Sequence, residues 1–177
     1  ETVFNTNLTA MDPQNKMLTG TDLITGQKME MKYDMIHITP PQSAPDFIKN
    51  SPLSSELGWV DVDQLTLQHK KFPNIFSCGD SSSLPIAKTG AAIRKQAPVL
   101  VKNLYSLSKG EPLQENYSGY TSCPLITAKG KCIMAEFGYE DKVMESFPFD
   151  QGQERLSMYI LKKDILPILY WNLMIKG

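Results

Sequence analysis

An apolar segment that ends in Gly-Asp and is soon followed by a helical pattern constrains this fold more than any other feature. Residues 74–78 are predicted to form a short buried strand, which Gly79-Asp80 closes. From residue 89 to about residue 107, apolar side chains recur at spacings of three and four, which predicts a helix. Pro98 lies inside that pattern and predicts a kink or a restart. Strand, turn and helix in this order predict an α/β unit.

The same segment has the chemistry of a cofactor-binding site. A glycine lets the backbone approach a ligand closely, and the aspartate can accept hydrogen bonds from ligand hydroxyl groups. The N–H groups at the helix start can receive an anionic atom, and a lysine charge lies beside them. A bare Gly-Asp pair is usually only a turn, so the interpretation depends on the Lys-Thr-Gly-Ala-Ala sequence that follows. The predicted cofactor-binding residues are Gly79, Asp80, Lys88, Thr89, Gly90 and Ala91.

The remaining segments predict a mixed α/β chain of the α+β kind. Apolar and charged residues make up 41% and 21% of the sequence, as in ordinary folded domains. A small antiparallel sheet is predicted over residues 118–147, and an amphipathic helix from about residue 153 to the end. Met35–Thr39 is predicted to be a strand buried on both faces. Further strands are predicted over residues 1–6, 16–22, 27–32, 59–63 and 66–69.

Charge and composition exclude several classes of function. A formal net charge of -1 gives no electrostatic reason to expect a nucleic-acid partner. The three cysteines are far apart and no CxxC pair occurs, so neither a disulfide scaffold nor a zinc site is predicted. His37, in the predicted buried strand, and His69, among charges, have no second ligand at a suitable spacing, and no metal is expected. A reducing compartment is the default interpretation.

Cys123 is the one cysteine for which the residues leave two interpretations open. A lone cysteine in a strand-like stretch is usually a small buried apolar side chain. The functional interpretation requires a favoured thiolate, because the thiolate is the nucleophile in disulfide exchange. Lys88, if it lies nearby, would supply the positive environment that favours it.

Several motifs resemble a known family. Phe72–Asp80 is similar to the C-terminal flavin-binding signature of two-dinucleotide-domain flavoproteins of the glutathione-reductase type. Other segments resemble the sulfide:quinone oxidoreductases, especially the mitochondrial form, and the likeness extends over essentially the whole chain. These segments are His37-Ile-Thr-Pro-Pro41, Gly58-Trp-Val-Asp-Val-Asp63, Tyr120-Thr-Ser-Cys-Pro-Leu125, Phe147-Pro-Phe-Asp150 and Glu154-Arg-Leu-Ser-Met-Tyr159.

The resemblance implies a flavoprotein that oxidises sulfide and reduces quinone. Cys123 occupies the position of a catalytic cysteine that pairs with a second one near FAD, and sulfide and a sulfur acceptor are the implied substrates. That second cysteine would lie N-terminal to residue 1, and no GxGxxG sequence is present. The chain by itself is therefore expected to bind FAD poorly and to be inactive. The implied fold is an incomplete two-dinucleotide-domain flavoprotein.

The resemblance also implies a division into three parts. Residues 1–39 would end the second dinucleotide domain, 40–110 would be the returning segment of the FAD domain, and 111–177 would face membrane and quinone. Ile165–Ile175 is apolar but too short to span a bilayer, so residues 153–177 are expected to bind a membrane surface as a monotopic anchor. Lys162 and the other lysines that flank or interrupt this stretch are expected at the membrane edge, near phospholipid headgroups. Phe149 and Tyr159 are the predicted quinone contacts. The expected location is the mitochondrial inner membrane or the bacterial cytoplasmic membrane, and the oligomeric state is not predicted.

Two other functions stay open. A type II NADH:quinone dehydrogenase would have the same architecture and would not need Cys123. A non-catalytic membrane-docking domain would account for the lack of the phosphate-binding glycine motif.

Overall fold

The computed structural model describes residues 3–176, which divide after Gln42 into two compact units. Both units contain antiparallel strands, and the second contains the helices. The predicted α+β class, with an antiparallel sheet and a C-terminal helix, is confirmed. The assignment of residues 1–39, 40–110 and 111–177 to three functional parts stays a prediction.

The first unit is built on an antiparallel meander. Strands β1 (Thr6–Asp12), β2 (Met17–Asp22) and β3 (Lys28–Lys32) pair in that order. Aspartates stabilise both turns: Asp12 accepts the N–H of Asn15 at 3.1 Å, and the Asp22 carboxylate accepts the N–H groups of the next turn at 2.8 Å. The turn chemistry in the sequence therefore sets the register of the sheet.

Two strand predictions in the first unit are wrong in position or type. The strand predicted over residues 1–6 begins at Thr6, and residues 1 and 2 lie outside the described residues. Residues 35–39 are irregular and mostly exposed, and His37 is exposed with them. An apolar run becomes a buried strand only where neighbouring strands supply ladder partners, and none pairs with this segment within the described residues.

The second unit begins with irregular structure held by isolated bridges. After the short helix α1 (Asp46–Lys49), single bridges join Val60 to Ser82, Val62 to His69 and Gln68 to Phe76. The strands predicted over 59–63, 66–69 and 74–78 are thus reduced to bridges, because each segment turns before a ladder can form. The buried side chains around which these segments pack are Val60, Val62, Leu67, Leu84, Val99 and Tyr117.

Helix α2 (Gly90–Ser108) follows and runs without a break across Pro98. The predicted restart is therefore wrong. Proline removes one intrahelical hydrogen bond, but Val99 and Asn103 lie just beyond it and are buried in the unit. Asn103 also donates to the carbonyls of Thr66 and Glu115, which ties this half of the helix to the core.

Strands β4 (Thr121–Ala128) and β5 (Lys131–Phe137) form a hairpin, and Gly130 takes φ 76° in its turn. The third strand predicted over 142–147 is reduced to a bridge between Phe137 and Val143. The C-terminal helix (156–174) alternates α-helical segments, α3 (Leu156–Ile160) and α4 (Leu166–Leu169), with wider π turns. Pro167, which has no N–H to donate, lies where the first π turn ends.

Candidate cofactor and thiol site

The Gly-Asp turn is anchored to α2 by one buried side chain. Gly79 takes φ 67° and donates its N–H to Oε1 of Gln96 at 2.7 Å. Gln96 is 2% exposed, so this hydrogen bond is shielded from water. The positive φ favours glycine here, and a Cβ at Gly79 would lie 2.9 Å from Cδ1 of Ile93, so the end of that side chain would have to move. The predicted turn and the predicted helix are thereby brought into one site.

Asp80 and Lys88 have different environments in this site. Asp80 is exposed, as a residue that meets ligand hydroxyl groups should be. Lys88 is half-buried: Nζ donates to the carbonyl of Ser82 at 2.6 Å and lies 4.1 Å from the ring centroid of Trp59. Burial lowers the pKa of Lys88 below its usual value, and the charge of Asp80 opposes that shift. The lysine is thus a fixed charge at the site.

Thr89 caps α2 and leaves its first N–H groups available. Oγ1 of Thr89 accepts the N–H of Ala92 at 3.1 Å, and the Thr89 carbonyl accepts that of Ile93. No acceptor in residues 3–176 takes the N–H of Gly90 or Ala91. Gly90 is exposed and a Cβ on it would meet nothing within 4 Å, so the helix start is open to solvent at that residue.

Cys123 is connected to this helix start through its own strand. Oγ1 of Thr89 lies 2.8 Å from Oγ1 of Thr121, which belongs to β4. Cys123 lies two residues further on, half-buried and opposite Ala135 of β5. Alternation along the strand places Thr121 and Cys123 on the same face of the hairpin. The structure therefore brings together the predicted thiol strand and the predicted cofactor residues.

The other two cysteines have hindered thiols. Cys78 is half-buried, and burial raises the pKa of its thiol. Cys132 is fully buried; burial raises its pKa as well, and the charge of Lys162 opposes the rise. Cysteine reactivity follows the thiolate fraction, so both positions are structural in character.

The predicted quinone residues, Phe149 and Tyr159, pack against one apolar cluster beside the hairpin. That cluster has Cys132, Met134 and Met158 at its centre. The rings of Phe147 and Phe149 stack at 5.4 Å, and the Arg155 guanidinium lies 4.5 Å from the Phe149 centroid. A cavity of about 440 Å³ lies along β5, but neither Phe149 nor Tyr159 is among its lining residues. Both residues are half-buried, and the Phe149 ring is already in contact with Phe147 and Arg155.

The sequence missed four residues that organise the site. Trp59 supports Lys88, Gln96 holds the glycine turn, and Thr121 meets the helix cap. Lys162, expected at the membrane edge, instead donates to the carbonyl of Pro124, next to Cys123. Only Thr121 had a local signal, because it lies two positions before the cysteine. The others depend on partners far away in the chain.

Residues 3–176 contain neither a metal-ligating cluster nor a helix able to span a membrane. No group of three or more His, Cys, Asp and Glu side chains is arranged to bind a metal ion there. His69 is buried, with Nε2 3.1 Å from the Leu53 carbonyl, while Nδ1 accepts the N–H groups of Lys71 and Phe72. None of the described helices combines the length and the apolar character needed to cross a bilayer.

No family model matches this chain. It is 48% identical over 152 residues to the mitochondrial sulfide:quinone oxidoreductase of Mus musculus. The aligned residues cover 86% of this chain and 34% of that protein. The mitochondrial enzyme of Dictyostelium discoideum is 52% identical over 148 residues, covering 83% and 33%. That of Schizosaccharomyces pombe (strain 972 / ATCC 24843) is 46% identical over 161 residues, covering 88% and 35%. The chain belongs to the sulfide:quinone oxidoreductase family.

The chain spans about a third of the length of these sulfide:quinone oxidoreductases. Among solved structures, it is similar to a chain in the cryo-EM structure of the Tetrahymena thermophila mitochondrial ATP synthase, an F1Fo composite tetramer. The TM-score is 0.73 at 25% identity, and the match covers 92% of this chain and 40% of that one. The chain therefore shares its fold with part of a chain in that ATP synthase structure.

Proposed function

We propose that this chain is the part of an FAD-dependent sulfide:quinone oxidoreductase that contributes one redox cysteine and the contacts to the flavin ring system. One observation carries the proposal: the cap of α2 is hydrogen-bonded to the strand of Cys123 through Thr89 and Thr121. The similarity to named sulfide:quinone oxidoreductases at 46–52% identity supports the same conclusion. The chemistry proposed below follows from these two findings.

The residues present fit the part of FAD that they would contact. Gly79 takes a positive φ, Asp80 is exposed, and the N–H groups of Gly90 and Ala91 have no acceptor among the described residues. The helix dipole and Lys88 place positive charge beside those N–H groups. These residues would stabilise negative charge on a bound ring system. FAD, when bound, supplies a two-electron acceptor that can pass the electrons on to quinone.

Cys123 is proposed as one half of a redox disulfide whose other cysteine belongs to the rest of the protein. Sulfide attacks that disulfide, the S–S bond breaks, and one cysteine leaves as a thiolate while the other retains the added sulfur. A nucleophilic sulfur acceptor would then take up the added sulfur and leave a second thiolate, and re-formation of the disulfide would release two electrons, for which FAD would be the acceptor. Half-burial of Cys123 leaves its sulfur reachable by a small nucleophile.

Quinone and membrane contacts are assigned to the C-terminal region. Phe149 and Tyr159 present half-buried rings that can pack against a quinone ring. The C-terminal helix exposes large apolar side chains, which supports monotopic binding of residues 153–177 to the bilayer that contains the quinone. The relatives named as mitochondrial support the mitochondrial inner membrane as the proposed location, with the bacterial cytoplasmic membrane as the alternative.

The decisive test is the substitution Cys123→Ser in the longest natural protein that contains this chain. Loss of a covalent nucleophile should lower sulfide-dependent quinone reduction by more than about 10³-fold. The matched control is Cys132→Ala, which removes a buried thiol outside the proposed disulfide and should retain activity. If the Cys123→Ser protein reduces quinone at the normal rate with NADH as donor and never needs sulfide, it is an NADH dehydrogenase instead.

The chain on its own is proposed to be inactive and to hold FAD poorly. It lacks the GxGxxG turn that binds the pyrophosphate. Purified residues 1–177 should show no flavin absorbance after dialysis and no quinone reduction. A yellow preparation that reduces quinone would contradict this proposal.

A non-catalytic role in a membrane assembly is the second candidate, and the structural similarity to the ATP synthase chain favours it. This non-catalytic role predicts that the longest natural protein that contains this chain shows no sulfide-dependent quinone reduction. It also predicts that the protein migrates with a larger complex on native gels. Sulfide oxidation by the isolated protein would exclude it.

A further inference from the structure

A buried hydroxyl group joins the cofactor helix to the thiol strand. Thr121 is 0% exposed, and its Oγ1 lies 2.8 Å from Oγ1 of Thr89 and 3.2 Å from the Ala87 carbonyl. Thr121 lies 32 residues from Thr89 and 34 residues from Ala87 in the chain. A hydroxyl group in such a place is satisfied only while strand and helix stay in register with each other.

The direction of each hydrogen bond follows from the number of protons available. The Ala87 carbonyl can only accept, so Thr121 donates to it. The Thr121 oxygen must then accept from Thr89, whose own proton is thereby used. Thr89 still has a lone pair for the N–H of Ala92, which it accepts at 3.1 Å. One ordered chain of donors therefore runs from the cap of α2 to the backbone before Lys88.

We propose that Thr121 is a positioning residue for Cys123. It fixes the start of β4 against the first turn of α2, and Cys123 follows two residues later on the same face. Lys162 holds the Pro124 carbonyl on the other side of the cysteine. The backbone is thus fixed before and after Cys123, and Thr121 sets its distance from the helix start. The catalytic meaning of this distance rests on the function proposed above.

The test compares Thr121→Val with Thr121→Ser in the full chain. Valine keeps the shape and removes both hydrogen bonds, whereas serine keeps the hydroxyl group. The rate of iodoacetamide alkylation at each cysteine is measured by mass spectrometry from pH 6 to pH 9. We expect Thr121→Val to raise the rate at Cys123 several-fold and to shift its pH profile, with Thr121→Ser unchanged. Cys132, which is fully buried, serves as the internal reporter of global unfolding.

Two results would overturn the proposal. One is equal alkylation of Cys123 in the valine variant and the unsubstituted chain. The other is a parallel rise at Cys123 and Cys132, which would mean that the hydroxyl group only stabilises the fold. The alkylation test does not depend on the Cys123→Ser test. If the proposed sulfide oxidation proved wrong, the alkylation rates would still decide whether Thr121 positions Cys123.

Discussion

Glu136 is a buried carboxylate that is held in its charged form. It is 7% exposed, and it accepts hydrogen bonds from Tyr120 Oη and from both the N–H and the hydroxyl group of Ser146, the latter two at 2.8 and 2.9 Å. Burial by itself raises the pKa of a carboxyl group, but here the hydrogen bonds outweigh it and lower the pKa of Glu136 from its usual 4.5. The carboxylate ties β5 to the segment that follows it.

This network predicts a pH dependence that Glu136→Gln removes. Because the folded-state pKa is lowered, the unfolded chain binds more protons between that value and 4.5. The stabilisation is complete above about pH 4.5 and is lost as the pH falls through the folded-state value. Glu136→Gln should cost about 1.5–3 kcal/mol at pH 7, and less on acidification. Urea unfolding at pH 7 and at pH 3.5 measures both values.

The matched control is Glu145→Gln, which removes an exposed carboxylate from the same region. A constant difference in stability between the Glu136→Gln chain and the unsubstituted chain at both pH values would contradict the assignment of charge to Glu136.

The residues of the cofactor site were predicted well where their chemistry is local. Glycine at position 79 and a capping threonine at position 89 are required by backbone geometry that a few neighbouring residues determine. Lys162 was misplaced for the opposite reason. Its side chain is long enough to reach either a headgroup or a carbonyl, and the sequence does not contain the position of Pro124 relative to the helix.

The C-terminal helix is the element with the largest exposed apolar surface. Trp171 and Leu173 are 62% and 63% exposed, and Ile168 is 61% exposed. Exposed apolar side chains in one continuous element mark a surface that binds a partner or a bilayer. The aromatic pair of Tyr170 and Trp171, in edge contact at 5.2 Å, suits the interfacial region of a membrane.

A charge at position 171 of this helix should weaken membrane binding. Trp171→Glu is expected to weaken binding to liposomes of mixed phospholipids by tenfold or more, since burial of one large apolar side chain is worth about 1.5–3 kcal/mol. Ser157→Glu adds the same charge at an exposed polar position of the same helix and should bind normally. Flotation of the full chain with liposomes measures both, and equal flotation of the two variants would contradict the prediction.

On the scale of the whole chain, the division after Gln42 predicts where a protease cuts first. Residues 34–43 are irregular, and Met35 is 90% exposed, whereas the hairpin and α2 are held by ladders and buried side chains. Limited chymotrypsin or thermolysin digestion should release a stable product that begins between residues 35 and 44. Mass spectrometry of the products identifies the cut. A first cut within residues 121–137 would contradict this division.

The α+β class and most of the second unit's regular elements could be predicted from the sequence, because period and turn chemistry are local properties. The helix over 90–108 and the hairpin over 121–137 follow from spacing and from Lys129-Gly130. The strands predicted at 35–39 and 74–78 failed, since β-structure depends on a partner strand. The apolar run alone does not supply that partner.

The sequence by itself determined which chemical groups this family member has: the Gly-Asp turn, the threonine-capped helix start, the lysine beside it and the cysteine in a strand. The tertiary structure decided which of them meet. Thr89 and Thr121 are 32 residues apart, and Lys162 and Pro124 are 38 apart. Hydrogen bonds over such separations form only when the free energy of packing offsets the entropy cost of closing the loops between them. The local sequence pattern therefore predicts which residues belong to the site, and the packing of α2 against β4 brings them together.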